Sequence, residues 1–482
     1  MNFGMVARVL GNLLLIEAAF LSIPLGISVY YQERGAILGF LLAMGIMGLI
    51  GLFLANVKSK SSRLKAREAI LIVTLGWTLT SFFAALPFVL SGSVPNLADA
   101  FFEATSSLTT TGSTVIPDVE SLPKGVLFWR SFAHWLGGMG ILVLTLAILP
   151  SLGVGGLQIF KAESPGPSPD KFTPRIVATT KILYTIYLAL TIVQSLVFRW
   201  SGLSLFDSLV LAFGTVSTGG LAVYNDSLMR YGSNNFLVYA VAIGMIMSGV
   251  NFSLYYDLWQ RRFKQVTVNS EFRLYLAILL VAVVLVSIGL YGKVYESLGE
   301  TIKQSLFQVS SIMTTTGYTT ADYDRWPSFS KGVLFLLMFV GGSAGSTAGG
   351  VKVIRLLVAA KVVRREIAKT LHPQAMTPII INGRVASSEV VQGVTSFYLL
   401  YLAVFVIGSL LISLEGLDPF SSMSAVAATL GNIGPGFGNV GPTATFAMFS
   451  PFSKLLLSFL MLVGRLELFT LLVILTPSFW RE

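Results

Sequence analysis

The chain has 482 residues, of which 54% are apolar and only 12% charged, against about 25% charged in a soluble domain; mean hydropathy is +0.77. With no cysteine and two histidines, His134 and His372, this composition excludes a soluble globular domain, a disulfide scaffold, thiol redox chemistry and a histidine-built metal centre. The net charge of +10 fits either nucleic acid or the sign rule of membrane loops, and the placement of the charges decides between them.

A bilayer core of about 30 Å needs roughly 20 apolar residues per helix. In chain order, such stretches fall near 5–30, 36–56, 69–91, 125–150, 176–199, 235–256, 272–292, 330–351, 390–413 and 453–476. The first is too long for a cleaved signal peptide, has no basic leader beyond Arg8 and runs straight into a second span. Between the spans lie shorter apolar pieces near 98–111, 204–218, 302–316 and 419–432, each ending at a glycine-bearing turn. They are too short to cross and suit re-entrant helices buried in protein.

With ten alternating spans and a cytoplasmic N-terminus, 21 of the 33 Lys and Arg residues fall inside and eight outside, while Arg130, Lys181, Arg199 and Arg465 lie in or at the ends of spans. Including the acids, the inner face carries +13 and the outer face −5. This bias puts both termini in the cytoplasm, and ten spans exclude a nucleic-acid binder.

An internal repeat runs through the chain. Residues 101–114, FFEATSSLTTTGST, align without gaps on 306–319, LFQVSSIMTTTGYT, so that Thr109-Thr110-Thr111-Gly112 meets Thr314-Thr315-Thr316-Gly317. Weaker copies are Val216-Ser217-Thr218-Gly219-Gly220 and Gly431-Asn432-Ile433-Gly434-Pro435-Gly436. The aligned glycines Gly112, Gly219, Gly317 and Gly434 are 107, 98 and 117 residues apart, each flanked by one span before and one after. A single TTTG could be an ordinary glycine-terminated helix, but four copies at a near-constant period define a unit of span, re-entrant helix, turn and span. The expected fold is an all-α polytopic membrane protein. It has ten transmembrane helices and four re-entrant pore helices: an N-terminal hairpin (1–57) and pore repeats at 69–150, 176–256, 272–370 and 390–476.

Four such units can surround one axis. A re-entrant helix whose C-terminal end points at that axis brings roughly half a negative charge to it. The extended turn that follows offers backbone carbonyls able to replace a cation's hydration shell. An anion would call instead for helix N-termini or inward basic side chains. Asp99, Glu103, Asp207, Glu300 and Asp418 sit near the outer ends of the short helices, where they serve as helix caps or, with the −5 outer face, as a vestibule that draws cations.

At these residues the sequence resembles the Trk/Ktr/HKT superfamily of potassium and sodium transporters, in its TrkH/TrkG type. The turns TTTG, STGG, TTTG and GNIGPG resemble the four filter turns of that family; Trp135–Ile141 and Gly341–Lys352 resemble two further family segments, and the extra N-terminal hairpin is also similar. The resemblance covers essentially the whole chain. It implies a potassium filter at Thr110, Thr111, Gly112, Ser217, Thr218, Gly219, Thr315, Thr316, Gly317, Asn432, Ile433 and Gly434, with K⁺ as the transported ion and no cofactor. A serine in the first turn goes with sodium preference in this superfamily, so Gly112 favours potassium. The fourth turn departs from Thr-Thr-Gly.

The stretch GGSAGSTAGG puts five glycines in ten residues at membrane depth. Small-residue helix packing is one reading; broken helix beside protein or a water-filled cavity is the other. The resemblance implies an intramembrane gate beneath the filter, with Gly341, Gly342, Gly345, Gly349 and Gly350 in the loop and Arg465 as an electrostatic barrier. Arg465 reads as a charge deep within the last span, costly there and functional by default. Arg130 and Lys181 lie nearer span ends and read as snorkelling side chains. The basic stretch 352–388 reads as a topology anchor and docking surface, and the resemblance implies a cytosolic TrkA-like RCK ring, a homodimer and a bacterial-type inner membrane.

The sequence itself carries neither GxGxxG after a strand nor a P-loop. A membrane enzyme would need clustered acids, histidines or a nucleophile set, which the deep charges do not form. The alternatives within the superfamily are a sodium-permeable member and a proton- or sodium-coupled potassium symporter. A coupled site would show a buried acid in the pathway, and Glu17 and Glu467, the only in-span carboxylates, lie outside the filter turns.

Overall fold

The computed structural model describes residues 1–58, 64–140, 176–374 and 377–481. The chain opens with α1 (Phe3–Phe20), which runs through Leu21 into α2 (Ser22–Tyr30). α3 (Arg34–Ala55) folds back along α1. Their backbones touch at two glycines, where an added Cβ on Gly11 would fall 2.7 Å from the Gly51 carbonyl oxygen. Such small-residue contact is how helices pack where no hydrophobic difference drives them together.

Four successive units follow. The first has α4 (Ala66–Leu90), α5 (Leu97–Leu108) and α6 (Lys124–Gly138). In the second, α7 (Ile176–Trp200) and α8 (Leu205–Val216) lead to α9 (Asn235–Ser248) and α10 (Phe252–Trp259). After α11 (Phe263–Val268) come α12 (Ser270–Leu290), α13 (Leu298–Met313) and α14 (Ser328–Leu337). α15 (Val353–Leu371) leads into a two-stranded hairpin of β1 (Ile380–Ile381) and β2 (Arg384–Val385), in register Ile381 to Arg384. Its turn residues Asn382 and Gly383 both have positive φ, as a two-residue hairpin turn requires. The fourth unit has α16 (Ser388–Ile412), α17 (Pro419–Leu430) and α18 (Pro451–Arg465), and the chain closes with α19 (Phe469–Leu472) and α20 (Pro477–Trp480).

The short helices α5, α8, α13 and α17 have 12, 12, 16 and 12 residues, about 18–24 Å of helix, less than a bilayer core. Each packs on the long helix that precedes it. In addition α5 packs on α18, α8 on α6 and α13 on α9, the second helix of the preceding unit. These contacts join the fourth unit to the first, the first to the second and the second to the third.

Among the described residues six helices are long and apolar enough to cross a membrane, or eight if two bent pairs each count as one. The expected continuous spans 235–256 and 453–476 are not straight: they bend by 93° at residues 249–251 and by 114° after Arg465. The expected span 330–351 is helical only to Leu337 before the glycine-rich segment. In the expected span 125–150 the helix ends at Gly138, and residues 141–150 lie outside the described residues. The physical reason is visible at the second unit. Gly249 offers its carbonyl to the Ser343 N–H at 2.9 Å, and the Phe252 N–H donates to the Gly345 carbonyl at 3.0 Å. The helix gives up its own ladder where another unit's backbone takes the freed groups.

Candidate functional site

The short helices end one residue before a common turn. Their C-caps are Thr109, Ser217, Thr314 and Gly431. The next residue of each turn, Thr110, Thr218, Thr315 or Asn432, is left-handed with φ between 51° and 57°. Two residues further on, Gly112, Gly220, Gly317 and Gly434 have φ of 85°, 73°, 83° and 106°, a conformation that costs a side-chain-bearing residue dearly. The second turn is thus shifted by one residue from the expected alignment: Gly220, not Gly219, stands where Gly112 stands, and Gly219 takes the place of Thr111.

The four turns form a closed ring. A Cβ added to Gly112 would lie 2.2 Å from the Gly219 carbonyl oxygen, one on Gly220 would lie 1.7 Å from that of Thr316, one on Gly317 2.2 Å from that of Ile433, and one on Gly434 2.9 Å from that of Thr111. Each glycine meets the carbonyl at the same turn position of the next unit. The requirement for glycine here is close approach as much as φ.

The turns are held from behind by hydroxyls. In the first and third turns the hydroxyls on either side of the middle threonine pair, Thr109 with Thr111 and Thr314 with Thr316, each at 2.8 Å. Thr109 and Thr314 also donate back to the helix carbonyls of Thr105 and Ser310. In the second turn the equivalent of Thr111 is Gly219, because the His134 ring occupies that space, 2.5 Å from where a Cβ would be. His134 Nδ1 lies 2.5 Å from the Ser107 carbonyl oxygen. In the fourth, the Asn432 amide donates to Thr111 Oγ1 at 2.9 Å and to the Met461 carbonyl at 3.0 Å. Asn432 is thus a strut between units rather than a member of a hydroxyl pair.

Outside the ring lies a cavity of about 150 Å³, bordered by Gly112, Gly220, Gly317 and Gly434. Its wall includes Arg130, which is 1% exposed and paired to Glu103 at 2.7 Å. Arg130 does not snorkel, and Glu103 is neither a helix cap nor a free acid. Glu103 also accepts from Thr114 Oγ1 at 3.0 Å and from the Val115 N–H at 3.1 Å, while Arg130 reaches the Ala222 carbonyl at 3.3 Å. The pair ties the exits of the first and second turns together. In the third unit Gln304 and Gln308 hold the exit of their own turn at Thr320, and in the fourth Ser424 holds the Phe437 N–H. The spacing of Glu103 and Arg130 across two elements left this pair invisible in the sequence.

The other outer acids are held locally. Asp99 pairs with Lys454 at 2.6 Å, Glu300 with Lys303 at 2.7 Å, and Asp418 accepts from the Ser421 N–H as a helix cap. Asp207 lies in the first turn of α8 and accepts from Ser204 Oγ at 2.8 Å. Asn225 beside Asp118 holds that carboxyl below the ordinary carboxylate range, as the Ser450 hydroxyl does for Glu415 and the Ser421 hydroxyl for Asp418.

On the opposite side of the ring is the glycine-rich loop between α14 and α15. Its limbs bond to each other, Gly341 N–H to the Val351 carbonyl at 2.8 Å and Val353 N–H to that of Gly342 at 3.1 Å. Gly341 lies against the Gly349 carbonyl, and Gly345 and Gly350 have positive φ. Thr347 Oγ1 donates to the Val216 carbonyl at the end of α8, and the Gly349 N–H donates to Thr315 Oγ1 at 2.7 Å. The loop therefore touches the ring directly.

Arg465 is the last residue of α18 rather than a charge in mid-helix. Its guanidinium donates to the Gly137 and Gly138 carbonyls at 2.5 and 2.7 Å, to the Thr347 carbonyl at 3.2 Å and to Thr110 Oγ1 at 3.3 Å. The charge sits at the C-terminal, negative end of α6, between the first turn and the glycine-rich loop. Glu467 is an ion-pair partner of Arg355.

A ring of backbone turns, a broken loop beneath it and a chain of apolar helices define a polytopic membrane transport protein, not an enzyme. A family model described as a cation transport protein, TrkH, matches residues 42–481. The Trk system potassium uptake protein TrkH of Salmonella typhimurium is 40% identical over the whole of both chains, and the same holds for that of Escherichia coli K12. The Trk system potassium uptake protein TrkG of Escherichia coli K12 is 33% identical over 99% of this chain and 98% of its own. The crystal structure of the potassium transporter TrkH from Vibrio parahaemolyticus superposes with a TM-score of 0.89 at 36% identity over the whole of both chains. The chain belongs to the TrkH family and is a membrane subunit of the TrkH/TrkG type.

Proposed function

We propose that the chain carries potassium into a bacterial cell through a gated, carbonyl-lined filter, as the pore-forming subunit of a Trk-type system. The observation that carries this reading is the closed ring, in which each of four units brings one glycine against the carbonyl of the next. Four helix C-termini end at that ring and lend it negative potential. Backbone carbonyls there would take the place of the ion's water. The filter residues are those expected from the sequence with one exchange, Gly220 for Gly219 at the turn position; Gly219 contributes its carbonyl.

The glycine-rich loop is the gate in this reading, and Arg465 holds a positive charge on the ion's path below the ring. Ten spans, cytoplasmic termini, an inner-membrane location, a homodimer and a TrkA-like RCK partner on the basic inner face complete it. The alternative of a coupled or sodium-permeable transporter draws no support from the two in-span acids: Glu467 is paired to Arg355, and Glu17 lies in α1, outside the four units.

The test is ⁸⁶Rb⁺ and Na⁺ flux into K⁺-loaded proteoliposomes containing this chain alone. Potassium and rubidium flux well above sodium is expected, with Gly112→Ser lowering the K⁺ over Na⁺ preference and Arg465→Ala raising cation flux. Equal passage of sodium, or flux indifferent to both substitutions, would sink the reading.

A further inference from the structure

We propose that Glu271 is a positioning residue that latches the glycine-rich loop shut, and that the cytosolic β-hairpin at Asn382 holds the latch in place; this rests on the reading of that loop as the gate.

Glu271 is the second residue of α12, in a different helix from either limb of the loop, and is 5% exposed. One oxygen, Oε1, accepts from the Ala344 N–H at 2.7 Å and from the Ile354 N–H at 3.1 Å. Ala344 lies in the descending limb. Ile354 lies in the first turn of α15, where the backbone N–H has no partner within its own helix. A single carboxylate thus bridges both ends of the segment. It sits at the positive ends of α12 and α15 at once, and its bonds to N–H groups are charge-assisted. The bonds between the limbs and from the loop tip to Val216 and Thr315 are neutral, and the charged donors Arg465 and Lys352 reach the Thr347 and Ala348 carbonyls without bridging the two limbs. Glycine-rich backbone carries a large entropic drive to loosen, so an ionised clasp across its base is the contact best suited to oppose it.

The position of Glu271 is itself set from the cytosolic side. The preceding residue, Ser270, donates its N–H to Asn382 Oδ1 at 2.8 Å. Asn382 is the turn residue of the hairpin, and the hairpin is also tied to α15 because Lys361 Nζ donates to the Ile380 carbonyl at 2.6 Å. The hairpin therefore grips α12 and α15, the two helices whose spacing decides whether one carboxylate can reach both donors. Residues Asn382 to Val385 are exposed. A cytosolic protein that draws the hairpin away from α12 would shift Glu271 and release the loop without touching the ring.

The natural absence of cysteine makes the test clean. Ser346, buried in the loop, is changed to Cys, and its modification by a small thiol reagent is timed in proteoliposomes alongside ⁸⁶Rb⁺ flux. Glu271→Ala should speed both by about tenfold or more, the population of open loop that the loss of charge-assisted hydrogen bonds releases. Glu271→Gln keeps an acceptor oxygen but loses the charge, and should fall between the parent and Glu271→Ala. Asn382→Ala should act in the same direction as Glu271→Ala, and the Rb⁺ over Na⁺ preference should not move in any of them. A purely structural role predicts lower yield and melting temperature for Glu271→Ala with an unchanged modification rate per folded molecule, and that result overturns the latch, as does Glu271→Gln behaving like Glu271→Ala. Failure of the pore reading would show separately, as parent protein without cation-selective flux or as indifference to Gly112→Ser.

Discussion

Two neighbouring glycines in the second turn do different work. Gly219 lacks a side chain because the His134 ring stands where its Cβ would be, and Gly220 lacks one because a carbonyl of the third turn does. A ring can be removed by mutation, whereas a backbone carbonyl cannot. Gly219→Ala should therefore cut rubidium flux by about tenfold, in line with an overpacked contact, and His134→Ala should recover part of it. Gly220→Ala should abolish flux with or without His134. Measured in proteoliposomes, equal rescue of both variants would refute this register. Glu103 and Arg130 give a second residue-scale prediction. Neutralising one partner of a buried pair leaves an uncompensated charge, at a cost of about 3–5 kcal/mol. Glu103→Gln should lower the melting temperature in detergent more than the double change Glu103→Gln/Arg130→Gln does.

At the scale of elements, the second helix of each unit ends at a comparable point: α6 at Gly138, α9 at Ser248, α14 at Leu337 and α18 at Arg465. The third break was read from the sequence, where five glycines fall in ten residues; the first is also crowded by Gly137, Gly138 and Gly140, in a stretch long enough to be taken for a span. The second depends on partners in a distant unit, Ser343 for the Gly249 carbonyl and Gly345 for the Phe252 N–H, which no local pattern encodes. Thr347 joins two of these breaks, donating to Val216 and Ser248 carbonyls. Thr347→Val keeps the shape and removes both bonds, each worth about 1 kcal/mol. Basal rubidium flux should rise several-fold; a fall, with folding intact by melting temperature, would contradict the assignment of this loop as a barrier.

At the scale of the molecule, the proposed topology separates the net charge of +10 into a positive inner face and a negative outer one. The carboxyls of Asp118, Glu415 and Asp418, on the outer face in this topology, are held below their ordinary range by hydrogen bonds. A lowered value means that each loses its charge at a lower pH than an ordinary carboxylate does, so that all three stay ionised between pH 7 and 5. Initial cation uptake should thus be nearly flat between external pH 7 and 5, and should slow when an impermeant salt screens the face. The sidedness itself is tested by single cysteines: Asp118→Cys should react with an impermeant thiol reagent added outside intact cells, and Lys264→Cys only after permeabilisation.

Sequence alone determined what local chemistry can write: apolar length for long helices, the short helices too brief to cross, and glycine where a turn demands positive φ. The repeated TTTG turns named the ring before any coordinate did. Tertiary structure decided what depends on residues far apart in the chain. It set the register of the second turn, since Ser217-Thr218-Gly219-Gly220 offers two glycines and only the neighbouring carbonyls and His134 distinguish them. It moved Arg130 from the membrane edge to a buried pair, ended α18 at Arg465, and brought Glu271 under both limbs of a loop more than seventy residues away. Hydropathy and turn propensity act through the nearest few residues; ion pairs and close backbone contacts act through space, and only the folded chain specifies them.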